Sequence, residues 1–109
     1  MGVVSGGALR AIALGVCDYL AETTNCSVQL PWLQLEGSII PVVEDMFKEG
    51  LAHHAMVPGV DGALQATTAA WAVFGAARRW LQTPGRIPAE EMATRIETLV
   101  KPVLLNGYQ

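Results

Sequence analysis

The sequence predicts an all-α protein, a bundle of about four long helices and one short helix. Apolar residues recur at three- and four-residue steps through most of the chain, which is the spacing that gives a helix an apolar face. No segment shows the apolar and polar alternation of a half-buried strand. A length of 109 residues is typical of one domain, so we expect residues 1–109 to fold as a single helical unit.

The composition is unusually apolar for a chain of this length. Hydrophobic residues make up 51% and charged residues 16% of the sequence, whereas charged residues are about 25% of an ordinary domain. The excess apolar surface has to be covered at an interface or used in a binding site. A net charge of -3 provides no basic surface for nucleic acid, so we expect no direct nucleic-acid contact by this chain.

The sequence predicts neither a membrane span nor a secretion signal. No run reaches the roughly 18 uninterrupted apolar residues that a transmembrane helix needs. Arg10 interrupts the first apolar segment, and no basic region precedes that segment. Cys17 and Cys26 are interpreted as two reduced thiols rather than a disulfide. We therefore expect a cytoplasmic protein that makes no membrane contact.

The first half of the chain predicts three of the helices. A long helix covers about residues 7–24 and ends where "TTNCS" offers side chains that compete for backbone hydrogen bonds. A short helix over residues 31–37 has a proline in its first turn and a glycine at its end. The next long helix starts at Ser38, a favourable N-cap, accepts Pro41 in its first turn and ends near Met56.

The second half predicts two further helices, separated by the turn "TPG". The first of them starts at Val60 or Asp61 and ends near Gln82. The last helix has Pro88 in its first turn. We expect Pro102 to kink or break this helix, and the "NG" pair at residues 106–107 to cap it.

Charged residues at the ends of these helices predict a structural role. Arg78 and Arg79 lie at a helix C-terminus, where the dipole favours cations, and Glu90 and Glu91 follow across the short turn as possible partners. Arg95 follows Glu91 by four residues, in the orientation that favours a side-chain pair. We therefore interpret the two arginines as structural rather than as an anion site.

The sequence contains no complete catalytic or metal site. Asp45, Glu49 and His53 follow at four-residue steps on one helix face, but no second helix offers the matching ligands. No nucleophile elbow or phosphate-binding loop is present. We expect no enzymatic activity, metal or cofactor; a small metal enzyme using this face is the open alternative.

The two last helices are apolar on more than one side. In the first, a bulky face comprises Leu64, Thr67, Trp71, Phe74 and Leu81, and a second face consists mostly of small residues. Two such helices can bury one side in their own bundle and the other in a twofold dimer, as a four-helix bundle. The predicted dimer interface consists of Ala63, Ala66, Ala70, Val73, Ala77, Trp80, Met92, Ile96, Leu99, Val100 and Val103.

The segment "AWAVFGAARRWLQTPGRIPAEEMATRIETLVKPVLLNG", residues 70–107, resembles the last two helices of the C-terminal domain of TetR/AcrR-type transcriptional regulators. The shared pattern is a helix end of the form G-A-x-R-x-W, a short turn, and P-A-E-E-M-A-x-x-I. The resemblance implies a domain that dimerises through its last two helices and binds a small apolar effector. The helix-turn-helix of such regulators does not precede the first helix here, so we expect DNA contacts to belong to residues outside this chain.

Both the resemblance and the composition predict an effector pocket among the first three long helices. Apolar walls supply affinity there, and a few polar groups fix orientation. The candidate ligand-binding residues are Cys17, Tyr19, Trp32, Met46, Phe47, Leu51, His54, Trp71 and Phe74. The alternative is that these residues fill a closed core. A second alternative is a ligand-free interaction module that forms a heterodimer with a longer regulator.

Overall fold

The computed structural model describes residues 6–24, 31–52 and 62–105. Over these residues it contains four helices and no strand, which confirms the all-α class. The helices are α1 (Gly6–Thr24), α2 (Trp32–Ala52), α3 (Gly62–Leu81) and α4 (Ala89–Leu105). The predicted end of the second long helix near Met56, the start at Val60 or Asp61 and the cap at residues 106–107 lie outside the described residues.

Helix α3 is the centre of the bundle because it packs against each of the other three helices. It is antiparallel to α4, where the Gln65 side chain donates to the carbonyl of Val103 at 3.2 Å. It is also antiparallel to α2, since Glu44 lies beside Thr67 and Glu36 beside Arg78.

Helices α1 and α4 run in parallel. The guanidinium of Arg10, near the start of α1, donates to the Thr94 hydroxyl at 2.9 Å and to the Glu90 carbonyl at 3.1 Å, near the start of α4. Both helices are buried along their length, from Leu9 to Leu20 and from Ala93 to Leu104. It follows that α1 and α2, each antiparallel to α3, run in the same direction.

The turn between α3 and α4 is fixed by Trp80. Its indole nitrogen donates to the carbonyl of Ile87 at 2.7 Å, and the Arg86 guanidinium carbon lies 4.9 Å from the centre of the ring. Gly85 has a φ of 66°, a left-handed conformation that favours glycine. The predicted turn, the end of α3 and the start of α4 are confirmed to within a residue or two.

The prediction of a separate short helix before α2 is wrong, because a single helix covers Trp32–Ala52. Gly37 lies inside this helix rather than at an end. Ser38 does not cap a new helix, since its hydroxyl donates to the carbonyl of Gln34 at 3.0 Å, one turn back in the same helix. The chain continues as a helix because Leu35, 1% exposed, adds its side chain to the core.

Neither proline interrupts its helix. Pro41 lies in the interior of α2 rather than in a first turn. Helix α4 continues beyond Pro102, so of the predicted kink or break the break is wrong. Both prolines are exposed, which places them on the sides where water can reach the carbonyls that lose their amide partners.

Candidate functional site

An apolar groove separates α1 from α2. Helix α2 packs mainly on α3 and only marginally on α1, so these two parallel helices leave a space of about 490 Å³ between them. Helix α1 lines the groove with Ala11, Ile12, Gly15, Val16 and Tyr19, and α2 lines it with Ser38, Ile39, Val42, Val43 and Met46. A volume of this size lies in the range of small-molecule sites.

The groove has a buried floor and exposed walls. Val16, Ile39 and Val43 are buried, whereas Tyr19 is 45% and Val42 53% exposed. None of the described residues that line the groove carries a charge, and their polar groups are the hydroxyls of Tyr19 and Ser38. Such a surface binds by covering apolar area, with one or two hydrogen bonds for orientation.

Only some of the predicted ligand-binding residues line the groove. Tyr19 and Met46 line the groove. Cys17, Phe47 and Phe74 are buried in the core and line no described cavity. Burial, and secondarily the charge of Asp18, raises the pKa of the Cys17 thiol to about 11, so it is a neutral packing group at physiological pH.

Trp32 and Trp71, two further predicted residues, do not line the groove. Trp32 and Phe74 meet edge to face between α2 and α3, with ring centroids 6.1 Å apart. Trp71 is 50% exposed on the outer side of α3. The side chain of Leu51 and the whole of His54 lie outside the described residues, so their predicted roles stay predictions.

Arg78 has a structural environment, as expected, but its partners come from α2 rather than from α4. Its guanidinium carbon lies 4.5 Å from the centre of the Trp32 ring, and its Nη1 lies 3.6 Å from a carboxylate oxygen of Glu36. The predicted pair between Glu91 and Arg95 is confirmed at 3.3 Å. The Arg78 contacts therefore fasten the beginning of α2 to the last turn of α3.

Most of the predicted interface residues are covered by the chain's own helices. Ala66, Ala70, Val73, Ala77, Trp80, Ile96 and Val100 are buried in the core. Ala63 and Leu99 are exposed, and Met92 and Val103 are half-buried. The small face of α3 thus lets α1 and α4 approach closely within one chain, and it is not an outer surface.

The outer surface of α3 and α4 carries other apolar residues. Leu64 is 62%, Trp71 50% and Leu99 68% exposed. On a helical wheel Leu64 and Trp71 share the outer side of α3, and Leu99 lies on the edge of α4 next to α3. We call these three residues the outer apolar face.

The described residues provide no other obvious chemical site. No three histidine, cysteine or carboxylate side chains among them come together as metal ligands, and His53 lies outside that part of the chain. Within the same residues, no helix is both long and apolar enough to cross a membrane.

The groove residues that the sequence reasoning missed follow a simple pattern. Apolar and small residues on α1 extend from its buried stripe to Ala11 and Gly15, and on α2 from its buried stripe to Val42. The last two helices show the same pattern, an apolar face that is wider than one buried side needs. The same pattern in α1 and α2 indicates the apolar walls of the groove, but not that the two helices are separated there.

Comparisons of the chain with protein-family models, with curated proteins and with solved structures found no match.

Proposed function

We propose that this chain is an effector-binding and dimerisation domain of a TetR-like transcriptional regulator, and that the groove between α1 and α2 is the effector site. The observation that carries the proposal is an uncharged apolar groove of about 490 Å³ between two helices that contact each other only marginally. The family assignment rests on the resemblance of residues 70–107.

An effector in this groove would act on the position of α2. This helix is fastened to α3 by Glu44 and Thr67, and by Arg78 with Glu36 and Trp32. A molecule lying between α1 and α2 favours the separation of the two helices that fits it best. It shifts the protein between two states only to the extent that it binds one of them more tightly. In a full regulator, this shift would change the affinity of the attached DNA-binding part.

The groove can be closed from within by one substitution. An added Cβ at Gly15 meets no atom within 4 Å, so a Gly15→Trp side chain can enter the groove without moving the backbone. Gly37 is the matched control, because it is also a helical glycine with nothing within 4 Å of an added Cβ and it does not line the groove.

The uncharged dye Nile red is a suitable probe, with binding followed by fluorescence titration. We expect the wild type and Gly37→Trp to bind it with similar affinity, and Gly15→Trp to bind at least about tenfold more weakly. Circular dichroism and thermal melting verify that both variants fold. Equal binding by all three proteins, or no binding by the wild type, would contradict an effector site in the groove.

A second candidate function is a ligand-free interaction module that pairs with a longer regulator. The outer apolar face favours it, because Leu64, Trp71 and Leu99 present large side chains to solvent. The same face also suits the homodimer that we propose, now through the outer sides of α3 and α4 rather than through the small face of α3. Solution mass separates a self-interface from a surface that awaits another protein.

A further inference from the structure

Helices α1 and α2 follow each other in the sequence but begin at the same end of the bundle. Arg10, near the start of α1, bonds to residues in the first turns of α4, and α4 follows α3 after a short turn. Trp32, at the start of α2, stacks with Arg78 in the last turn of α3. Because α1 and α3 have nearly equal lengths of 19 and 20 residues and run in opposite directions, Thr24 lies level with the beginning of α3.

The chain therefore has to return along the whole bundle between α1 and α2. Helix α3 has 20 residues, so its two ends lie about 28 Å apart at 1.5 Å per residue. The eight residue steps from Thr24 to Trp32 reach at most about 26–29 Å at 3.3–3.6 Å per residue. A connection within one chain is thus at the limit of its reach before any sideways separation of α1 and α2 is added.

The helix contacts do not require α1 and α2 to come from the same chain. Helix α1 packs extensively on α4 and α3 but only marginally on α2, and its inner side is buried from Leu9 to Leu20. The next connection has no such conflict, because Ala52 and Gly62 lie at the same end of the antiparallel pair α2 and α3. The geometry therefore singles out α1 as the helix that the chain reaches with difficulty.

A second copy that runs in the opposite direction removes this difficulty. Helix α3 carries no charged residue from Gly62 to Ala77, so two α3 helices can pack through the outer apolar face without like charges facing each other. Trp71, 50% exposed on that face, lies midway between Gly62 and Leu81. A twofold axis beside Trp71 places the start of one α3 level with the end of the other.

In that arrangement α1 of one copy can dock on α3 and α4 of the other copy. The end of the docked α1 is then level with the start of its own α2. With helix spacings of 8–10 Å, the connection crosses about 20 Å sideways, which is well within the reach of eight residues. Short connections favour such an exchange of one element between two copies.

We propose that α1 is exchanged between two copies of this chain, so that each bundle consists of α2, α3 and α4 from one copy and α1 from its partner. This inference rests on the homodimer of the proposed function, since it names the chain that supplies each helix. The groove is then formed between copies, because Tyr19 lies on α1 and Met46 on α2. An effector in the groove therefore contacts both copies.

The test asks whether the contact between α1 and α4 is made within a chain or between chains. Arg10 and Thr94 are hydrogen-bonded across these two helices, and each is replaced by cysteine on a separate chain. Both chains carry Cys26→Ser, whereas Cys17 is retained because it is buried. The Arg10→Cys and Thr94→Cys chains are unfolded together in urea, refolded as a mixture and treated with a short bismaleimide. Exchange predicts a covalent pair with one chain of each kind, because in closed bundles the two cysteines do not meet.

The matched control uses the contact between α2 and α3, which stay in one chain. Glu44 and Thr67 are hydrogen-bonded across these helices. A mixture of Glu44→Cys and Thr67→Cys chains should give no covalent pair, and the double variant should be linked within one chain. Each single-cysteine chain treated alone measures the background, and circular dichroism verifies that every variant folds.

A longer connection tests the argument from reach. A flexible insertion of about six glycine and serine residues between Ser27 and Val28 lets α1 return to its own bundle. The effective concentration of α1 there is on the order of millimolar, far above a micromolar protein concentration. We expect the insertion to lower the yield of the α1–α4 covalent pair at least about fivefold. An unchanged yield would contradict reach as the cause of the exchange.

The inference is overturned if the mixed Arg10→Cys and Thr94→Cys chains give no covalent pair while the double variant is linked within one chain. If that protein still has twice the chain mass in light scattering, the homodimer of the proposed function stands, with each α1 in its own bundle. A wild-type monomer would remove the homodimer as well. The Nile red titration tests the groove independently of both.

Discussion

Arg78 holds α2 to α3 through two contacts of different kinds, a stack on the Trp32 ring and an ion pair with Glu36. Both contacts are partly exposed, so each contributes a modest amount. We expect Arg78→Ala to lower the free energy of unfolding by about 1–2 kcal/mol in a urea titration. The neighbouring Arg79 is exposed, and Arg79→Ala should change the free energy of unfolding by less than about 0.5 kcal/mol.

Arg78→Lys separates the two contacts. Lysine keeps the charge but loses the planar group that stacks on the indole, so we expect an intermediate loss of stability. If the alanine variants at positions 78 and 79 prove equally stable, the contacts of Arg78 do not fasten α2.

Cys17 predicts a pH dependence of stability at alkaline pH. Burial raises the pKa of its thiol from 9.0 to about 11, so between these values the unfolded chain loses this proton while the folded chain keeps it. The unfolded state is then favoured, and the free energy of unfolding should fall as the pH rises from about 9 to 11.

Other groups titrate in this range, so the measurement is the difference between the wild type and Cys17→Ala in urea titrations at several pH values. Between about pH 9 and 11, the free energy of unfolding should fall less in the alanine variant than in the wild type. Parallel curves would show that the thiol is not shielded from water.

At the scale of the helix, Pro41 is the least favourable residue in α2. It lies in the helix interior, and it has no amide hydrogen to donate to the carbonyl of Gly37 one turn back. Its ring also crowds that carbonyl. We expect Pro41→Ala to raise the free energy of unfolding by about 1–3 kcal/mol, measured by urea titration. Pro102→Ala is the control, with a smaller gain because Pro102 is close to the end of α4.

The failure to predict α2 as one helix has a physical reason. Gly37, Ser38 and Pro41 are each a signal for a helix boundary when only the neighbouring residues are considered. The burial of Leu35 and the contacts of Trp32 with α3 favour helical continuation, and sequence patterns do not contain these tertiary contacts. Where such conflicts are absent, the boundaries could be predicted closely, as at both ends of α1, the end of α3 and the start of α4.

The outer apolar face predicts that the chain associates with a second copy of itself. We expect light scattering over a dilution series to give twice the chain mass of 11.6 kDa at micromolar concentration. Leu99→Glu should shift the protein to monomer, because it would place a charge against an apolar surface. Thr98→Glu is the control, since Thr98 is exposed on another side of α4.

A wild-type monomer over the full dilution series would contradict the homodimer and favour the heterodimeric module. A dimer that Leu99→Glu leaves intact would mean that the copies meet elsewhere.

The candidate site could be predicted only in part from the sequence. The residues Tyr19 and Met46 were identified, because an aromatic and a flexible apolar side chain are typical of binding sites. Phe47 and Phe74 have the same character and are buried in the core. Which apolar face is covered depends on how the helices are arranged, and α1 and α2 are separated by a gap that neither helix indicates alone.

The dependence of α2 on α3 has a consequence for how the molecule opens. Helices α1, α3 and α4 all pack on one another, whereas α2 has only one extensive neighbour. A helix attached along one side can detach while the other three stay folded, and such partial opening exposes its amides to solvent. Native-state hydrogen exchange should therefore divide the chain into two cooperative units, with α2 exchanging first and the three-helix remainder exchanging only on global unfolding.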